Sequence, residues 1–232
     1  MGKMEIVKAV VKDISDISSI DGYVHVKTTN NGTDSPYYSY RIKDNCYCIF
    51  RYTFSGRGCY SINGSMYIRY KILTDIMLDL MRCTNYEDDY KIIPTDSFII
   101  RGVGIWSEIG RHLKNTSALY IENIGESRDF ARLFYSQVKQ EEAAFILPAM
   151  DIKTTIEKFM KPTYYFWPGD LRSFVEHLVS YGIMTSDKKL IDYAFEKASS
   201  VILKYSEDVR KNYSDFIEAL RTTLNNAKLL VD

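Results

Sequence analysis

Apolar and polar positions alternate through most of the first 70 residues and recur every three or four residues after residue 127. Alternation is typical of half-buried strands, and the wider spacing is typical of amphipathic helices. The pattern therefore predicts an α+β protein, with an antiparallel sheet in the N-terminal half and a helical C-terminal half. We expect residues 1–105 to form the β-rich part with one helix and residues 106–232 the helical part, packed together as one domain.

The strand predictions rest on β-branched and aromatic residues bounded by turn residues. The runs of this kind cover residues 4–11, 23–28, 37–42 and 46–54. Asn63-Gly64 stands between two further alternating runs and predicts a type I′ hairpin turn. The glycine-rich residues 55–58 predict a tight turn, with a phosphate-holding loop as the alternative.

Helical spacing predicts helices over residues 74–82, 107–114, 127–146, 151–161, 169–181, 186–205 and 207–229. Thr74 is the predicted N-cap of the first helix, and Ser186 is the predicted N-cap of the helix over 186–205. Gly182 is the predicted stop after the helix over 169–181, since glycine often ends a helix.

Thirty basic and thirty acidic residues cancel, so no net field draws the chain toward nucleic acid or an anionic membrane. No apolar run is long enough to cross a membrane, and the N-terminus lacks the apolar core of a signal peptide. We therefore expect a cytoplasmic protein with reduced cysteines. Cys46 and Cys48 would share one face of a strand, as a metal pair or, more simply, as buried small hydrophobes.

The C-terminal half contains a set of short motifs in a fixed order. The motifs are Glu141, Ala143, Leu147-Pro148, Phe166-Trp167, Leu171-Arg172-Ser173 and Tyr193-Ala194. This set resembles the signature of the flavin-dependent thymidylate synthases, the ThyX family. The same residues are also typical of packed amphipathic helices.

The resemblance implies a homo-oligomer, a tetramer in that family, with FAD or a nucleotide held at interfaces between subunits. Arg82 falls on the first arginine of the family's flavin-contacting Arg-His-Arg motif. Arg172 and Ser173 match the C-terminal signature, and Asp170 stands where the family has an asparagine. The resemblance thus implies Arg82, Arg172, Ser173 and Asp170 as cofactor-binding residues.

Arg172 falls in the first turn of its predicted helix, where the helix dipole disfavours a cation by roughly a few tenths of a kcal/mol. A compensating anion is therefore expected. Asp170, two residues away, could form a simple ion pair with it. The alternative anion is a phosphate or carboxylate ligand shared with Arg82.

Three positions depart from the family pattern. Thr84, Ala144 and Tyr181 stand where the family has arginines that hold flavin or nucleotide phosphate. A dianionic phosphate needs charge-assisted donors, each worth roughly 1.5 to 3 kcal/mol. We therefore predict that thymidylate synthesis is lost, leave open whether the chain is an enzyme, and assign no catalytic residue or metal ligand.

The predicted sheet also supports an alternative function. Its tyrosines alternate with basic residues: Tyr23, Tyr37, Tyr38, Tyr40, Tyr47, Tyr52, Tyr60, Tyr67 and Tyr70 with Lys27, Arg41, Arg51 and Arg69. Stacking tyrosines with arginines can hold single-stranded nucleic acid. Zero net charge favours the simpler explanation that tyrosine suits a half-buried strand. The alternative is a non-catalytic module for assembly or for single-stranded nucleic acid, with nucleic acid the less favoured partner.

Overall fold

The computed structural model describes residues 3–26, 37–82, 84–85, 109–113, 119–161 and 170–227. An antiparallel sheet in the N-terminal half and a mostly helical C-terminal half confirm the predicted α+β class. The chain divides into two compact units. Among the described residues, unit 1 contains 3–26, 37–69, 110–113 and 119–150, and unit 2 contains 70–82, 84–85, 109, 151–161 and 170–227.

The described strands form one sheet in the order β1-β2-β3-β4-β5, with β6 also paired to β4. Their bounds are Val24–Val26 (β1), Tyr37–Lys43 (β2), Cys46–Ser55 (β3), Tyr60–Tyr70 (β4), Ile109–His112 (β5) and Tyr120–Ile121 (β6). The strands predicted over residues 23–28, 37–42 and 46–54 are confirmed where the structure describes them. The turn predicted over residues 55–58 is confirmed as the connection between β3 and β4.

The described helices confirm five of those predicted in the C-terminal half. Their bounds are Lys3–Ser19 (α1), Lys71–Met81 (α2), Ser127–Glu141 (α3), Leu147–Ala149 (α4), Ile152–Phe159 (α5), Asp170–Thr185 (α6), Lys188–Ile202 (α7) and Glu207–Asn226 (α8). A π-helical turn, Glu142–Ile146, joins α3 to α4. Within the described parts of the chain, every helix is too short or too polar to span a lipid bilayer.

The strand predicted over residues 4–11 is wrong, because these residues form the first half of α1. Ile6, Val10 and Ile14 are buried and recur four residues apart, which places them on one side of a helix. The preference of β-branched residues for strands is weak enough for packing to override it. The packing partner is α3, and Ser127 at its start donates a hydrogen bond to Asp13 Oδ2 at 2.6 Å.

The hairpin predicted at Asn63-Gly64 is also wrong, because β4 runs through both residues without a turn. A Cβ atom at position 64 would lie 2.5 Å from Leu113 Cδ1 and 2.9 Å from Phe134 Cε2. Glycine therefore serves close packing of α3 on the strand. This packing, rather than the turn preference of Asn-Gly, determines the backbone conformation here.

Two predicted features around α2 and β5 are corrected as well. The helix predicted over residues 107–114 is wrong, since residues 109–112 form strand β5. The predicted N-cap Thr74 lies inside α2, whose N-cap is Tyr70. The Thr74 hydroxyl donates to the Tyr70 carbonyl oxygen at 2.9 Å, a bond typical of a threonine within a helix.

The junction between α6 and α7 differs from the prediction at both Gly182 and Ser186. Helix α6 continues through Gly182 to Thr185, and Ser186 takes a left-handed conformation with φ 57°. Asp187 rather than Ser186 caps α7, and its carboxylate accepts from the Leu190 amide at 3.2 Å. A Cβ atom at position 182 would lie 2.6 Å from Ile191 Cγ1, so Gly182 allows α7 to approach α6 closely.

Unit 1 has its aromatic core between the sheet and α3. The Phe134 ring of α3 lies 5.3 Å from the Tyr52 ring of β3, and the Phe50 ring lies 5.0 Å from that of Tyr23. In the observed register Tyr38 lies opposite Arg51, so both point to the other face of the sheet. One face of the sheet is thus packed against a helix, and the other carries Tyr38, Tyr40 and Tyr47.

Unit 2 is built around α6, which packs against α2, α5 and α7. Its described side chains from Leu171 to Ser180 are all buried. Four of them are polar or charged: Arg172, Glu176, His177 and Ser180. A helix buried on all sides normally carries apolar residues only, so these four need specific partners.

Candidate functional site

Arg82, the first predicted cofactor residue, lies at the C-terminal end of α2 with its side chain 69% exposed. Its Nη2 atom is 3.6 Å from Asp79 Oδ1, which is itself exposed. Exposed ion pairs of this kind contribute little to stability. The guanidinium is therefore held loosely and can reach a ligand in solvent.

Arg172, the second predicted cofactor residue, lies in the core of unit 2. Its Nε atom donates to Glu176 Oε1 at 2.6 Å, and its guanidinium carbon lies 4.6 Å from the centre of the Phe216 ring. Glu176, one turn further along α6, is thus a described anion for Arg172. Asp170 and Ser173 also lie in the first turn of α6, but their side chains fall outside what the structure describes.

A second polar group in unit 2 surrounds His177. Its ring lies edge-on to Tyr70 at 5.7 Å and to Phe159 at 5.5 Å. The Tyr70 hydroxyl is hydrogen-bonded to Thr155 Oγ1 at 2.6 Å. The burial of His177 among these rings is typical of a core histidine.

Unit 1 holds a charged cluster that the sequence did not predict. Arg41 of β2 forms an ion pair with the buried Glu142 of the π-helical turn. Its Nη1 atom donates to the Asp21 backbone oxygen at 3.0 Å, and its guanidinium carbon lies 5.0 Å from the Tyr23 ring centre. Because Arg41 and Glu142 are far apart in sequence, only the folded sheet and helix bring them together.

The same cluster continues through the Asp21 carboxylate. Tyr135 of α3 donates its hydroxyl to Asp21 Oδ2 at 2.7 Å, and Lys139 Nζ lies 3.2 Å from the same oxygen. The Tyr135 hydrogen bond, with the Lys139 charge, lowers the pKa of the Asp21 carboxyl. Burial and the bond to Asp21 raise the pKa of Tyr135. The cluster is thus a set of ion-paired charges suited to holding β2 and α3 together.

Cys46 and Cys48 are buried on β3, as predicted for small hydrophobic side chains. Burial raises the pKa of the Cys46 thiol to about 11 and also raises that of Cys48. Both thiols are therefore protonated near neutral pH. A protonated, buried thiol is a poor nucleophile and a poor metal ligand.

The sheet face opposite α3 carries an exposed patch at one end, which we call the sheet-end patch: Val24, Tyr40, Ile42 and Tyr47. Val24 is 54% exposed and Ile42 is 58% exposed. The half-buried Tyr40 and Tyr47 rings lie 6.4 Å apart. Val24 pairs with Tyr40 across β1 and β2, and Ile42 pairs with Tyr47 across β2 and β3. The patch is therefore continuous over three strands.

The tyrosine and arginine set read from the sequence is divided between the two faces of the sheet. Tyr23 and Tyr52 belong to the aromatic core of unit 1. On the other face Tyr38 is buried, with the Arg51 guanidinium carbon 5.9 Å from its ring centre. Alternation in the sequence therefore predicts a larger stacking surface than the sheet provides, and the sheet-end patch is one accessible part of that face.

No protein-family model, curated protein or solved structure matches this chain. The resemblance to the ThyX family is therefore neither supported nor opposed and stays a prediction.

Proposed function

We propose that this chain is a non-catalytic assembly protein that self-associates through the sheet-end patch of unit 1. The observation that carries the proposal is the exposure of Val24 and Ile42 beside the Tyr40 and Tyr47 rings. Burial of apolar surface contributes about 25 cal/mol per Å². Tyrosine is also among the residues enriched at protein interfaces.

The partner that fits this patch best is a second copy of the chain. The patch has no charged side chain among its four residues, so two copies meet there without like-charge repulsion. Packing of the two patches face to face about a two-fold axis gives a closed dimer in which both patches are buried.

Single-stranded nucleic acid fits the patch less well. Binding to a phosphate backbone depends on lysine and arginine side chains that neutralise it. The patch itself has none, and the basic and acidic residues of the chain cancel. Aromatic stacking alone would have to supply the affinity.

The proposal is tested by multi-angle light scattering on the full chain and on an Ile42→Asp variant. A charge in the patch should weaken self-association at least about tenfold, equivalent to about 1.4 kcal/mol. We expect an oligomer for the parent chain and a shift toward the monomer mass of 26.9 kDa for the variant. Leu203→Asp, at an exposed apolar position in unit 2, is the matched control.

A monomeric parent chain, or equal shifts in Ile42→Asp and Leu203→Asp, would contradict self-association through the patch. A labelled single-stranded oligonucleotide should show no binding in a fluorescence anisotropy titration. Binding that is lost on replacing Tyr40 and Tyr47 by alanine would assign the patch to nucleic acid instead.

The ThyX resemblance supports a second proposal, that a flavin such as FAD or a nucleotide binds through Arg82. The specific observation is its exposed guanidinium, whose described acidic neighbour is 3.6 Å away. Because Arg172 is engaged with Glu176 and Phe216, the ligand phosphate would depend on Arg82 rather than on both arginines. We expect no thymidylate synthesis from such a protein.

The absorbance spectrum of the purified protein and a titration with flavin mononucleotide test this second proposal. Arg82→Ala should weaken flavin binding about tenfold, as expected for loss of one charge-assisted donor. The control is Arg132→Ala, an exposed arginine of unit 1 paired with Asp129. A parent protein that neither carries nor binds flavin would leave assembly as the only proposed function.

A further inference from the structure

Helices α2 and α8 of unit 2 border an open groove with a volume of about 790 Å³. Its lining combines apolar side chains, such as Leu80 and Ala219, with the carboxylates of Asp79, Asp215 and Glu218. A volume of this size lies within the range of pockets that bind ligands. The mixture of apolar and acidic groups then determines which kind of ligand would fit.

The groove follows the long axis of α8. Asp215, Glu218, Thr222 and Asn226 line it and recur every three or four residues along the helix. Residues at this spacing share one side of a helix. At 1.5 Å per residue they cover about 16 Å, which is long enough for about three turns of a second helix.

The charge of the groove has one sign. The lining contains three carboxylates and, among the described residues, no lysine or arginine. Arg82 lies beside it and is 3.6 Å from Asp79. Arg221 of α8 lies 4.8 Å above the Phe195 ring of α7, so that cation is engaged with another helix. The groove lining itself would repel an anionic ligand and attract a cationic partner.

We propose that this groove docks a basic amphipathic helix from a partner protein. Apolar side chains of that helix would enter the groove beside Leu80 and Ala219. Its lysines and arginines would pair with Asp79, Asp215 and Glu218. Amphipathic helices recognise grooves in this way, with anchors three or four residues apart. The proposal is independent of the sheet-end patch, which belongs to unit 1.

The probe for this proposal is a labelled synthetic peptide of lysine and leucine, about 18 residues long, patterned to form an amphipathic helix. A second peptide with glutamate in place of lysine is its control. With the full-length protein, we expect binding of the basic peptide in the micromolar range at low salt. Binding should weaken as salt is added, because exposed charges are screened.

Two variants then locate the site. Asp215→Lys combined with Glu218→Lys should weaken binding of the basic peptide at least about tenfold. Thr222→Trp changes no charge, yet should also weaken binding, because it fills the exposed groove. Glu207→Lys combined with Asp208→Lys makes the same charge change at the first turn of α8, and should leave affinity within about twofold.

Equal losses in the two double variants would overturn the proposal, because they would indicate a general attraction to acidic protein surface. Equal binding of the glutamate peptide would overturn it as well, because charge complementarity would then play no part. Unchanged affinity in Thr222→Trp would place the peptide outside the groove.

Discussion

Each unit contains an arginine–glutamate pair with a buried carboxylate, and the two pairs are built differently. In unit 2, Arg172 and Glu176 lie one turn apart on α6, so the helix itself sets their approach. In unit 1, Arg41 of β2 and Glu142 beyond α3 meet only when the sheet and that helix are packed. One contact is local and the other is tertiary, although both place a guanidinium against an aromatic ring.

This difference affects how much each pair contributes to the stability of the folded protein. A buried ion pair is not by itself stabilising, because desolvation of both charges offsets their attraction. Removing one partner is costly, because the other charge stays buried. Glu142 joins Arg41 to a larger cluster that includes Asp21 and Lys139. Loss of Glu142 should therefore be the more damaging of the two.

The largest expected effect is that of Glu142→Gln. We expect it to lower the free energy of unfolding by about 3 to 5 kcal/mol, the usual cost of breaking a buried pair. The measurement is urea denaturation followed by circular dichroism. Glu126→Gln, an exposed glutamate just before α3, is the control and should change stability by less than about 0.5 kcal/mol. A loss below about 1 kcal/mol in Glu142→Gln would contradict a tertiary role for the pair.

The corresponding change in unit 2 should cost less. Glu176→Gln removes a pair formed within one helix, whereas Glu142→Gln also removes the carboxylate charge near Lys139. We expect a loss of about 2 to 3 kcal/mol, as for a hydrogen bond to a charged group. Replacing both partners, with Arg172→Met and Glu176→Leu together, should restore stability close to that of the parent chain. A double variant no more stable than the single one would refute the interpretation of a local, replaceable pair.

Two glycines allow a second comparison between the units. Gly64→Ala would press on Leu113 and Phe134 in unit 1, and Gly182→Ala would press on Ile191 in unit 2. Overpacking of this kind costs about 1 to 3 kcal/mol. Alanine within α6 regains up to about 1 kcal/mol of helix propensity, so Gly64→Ala should be the more destabilising. Thermal denaturation of both, with Gly125→Ala as the control, tests this order, and the reverse order would contradict it.

The smallest expected effect is a dependence of the stability of unit 1 on pH. The Tyr135 hydrogen bond and the Lys139 charge lower the pKa of Asp21 in the folded state. The stability contributed by Asp21 is therefore present above its unfolded pKa, about 3.9, and is lost as pH falls through the lower folded pKa. Between pH 5 and pH 2 the Asp21→Asn variant should lose less stability than the parent chain. The difference between the two losses should be on the order of a few tenths of a kcal/mol, because Asp21 is partly exposed. Urea midpoints at several pH values measure this, and parallel losses would contradict it.

The sequence was sufficient to predict an element of secondary structure where one physical preference dominated. Alternation in β2 and β3 and helical spacing in α7 and α8 predicted the elements that the structure contains. Prediction failed where two signals competed. The β-branched residues of α1 favour a strand, but their four-residue spacing and the contact with α3 produce a helix. At Asn63-Gly64 the sequence strongly favours a turn, but the strand continues, and the glycine allows Phe134 to approach it closely.

The exposed surfaces were harder to predict than the secondary structure, because the exposure of a side chain depends on what covers it. Val24 and Val26 are identical residues on one short strand, yet the first is 54% exposed and the second 5%. The four-residue spacing from Arg172 to Glu176 is visible in the sequence. Asp170 is also visible and lies closer to Arg172 along the chain, so the sequence suggested it first. No spacing rule connects Arg41 to Glu142. Contacts set by tertiary packing leave no local trace in the chain.

The central claim is that the sheet-end patch is buried between copies of the chain, and the most direct measurement is the reactivity of a thiol placed there. An Ile42→Cys variant is labelled with a maleimide at protein concentrations from about 1 to 100 µM. This range is used because association increases with concentration by mass action. The labelled peptide is quantified by mass spectrometry. Leu203→Cys, exposed on unit 2, is the matched control. We predict that the labelling rate at position 42 falls several-fold as concentration rises, whereas the rate at position 203 stays constant. A rate at position 42 that is independent of concentration, or that falls in step with position 203, would contradict the claim.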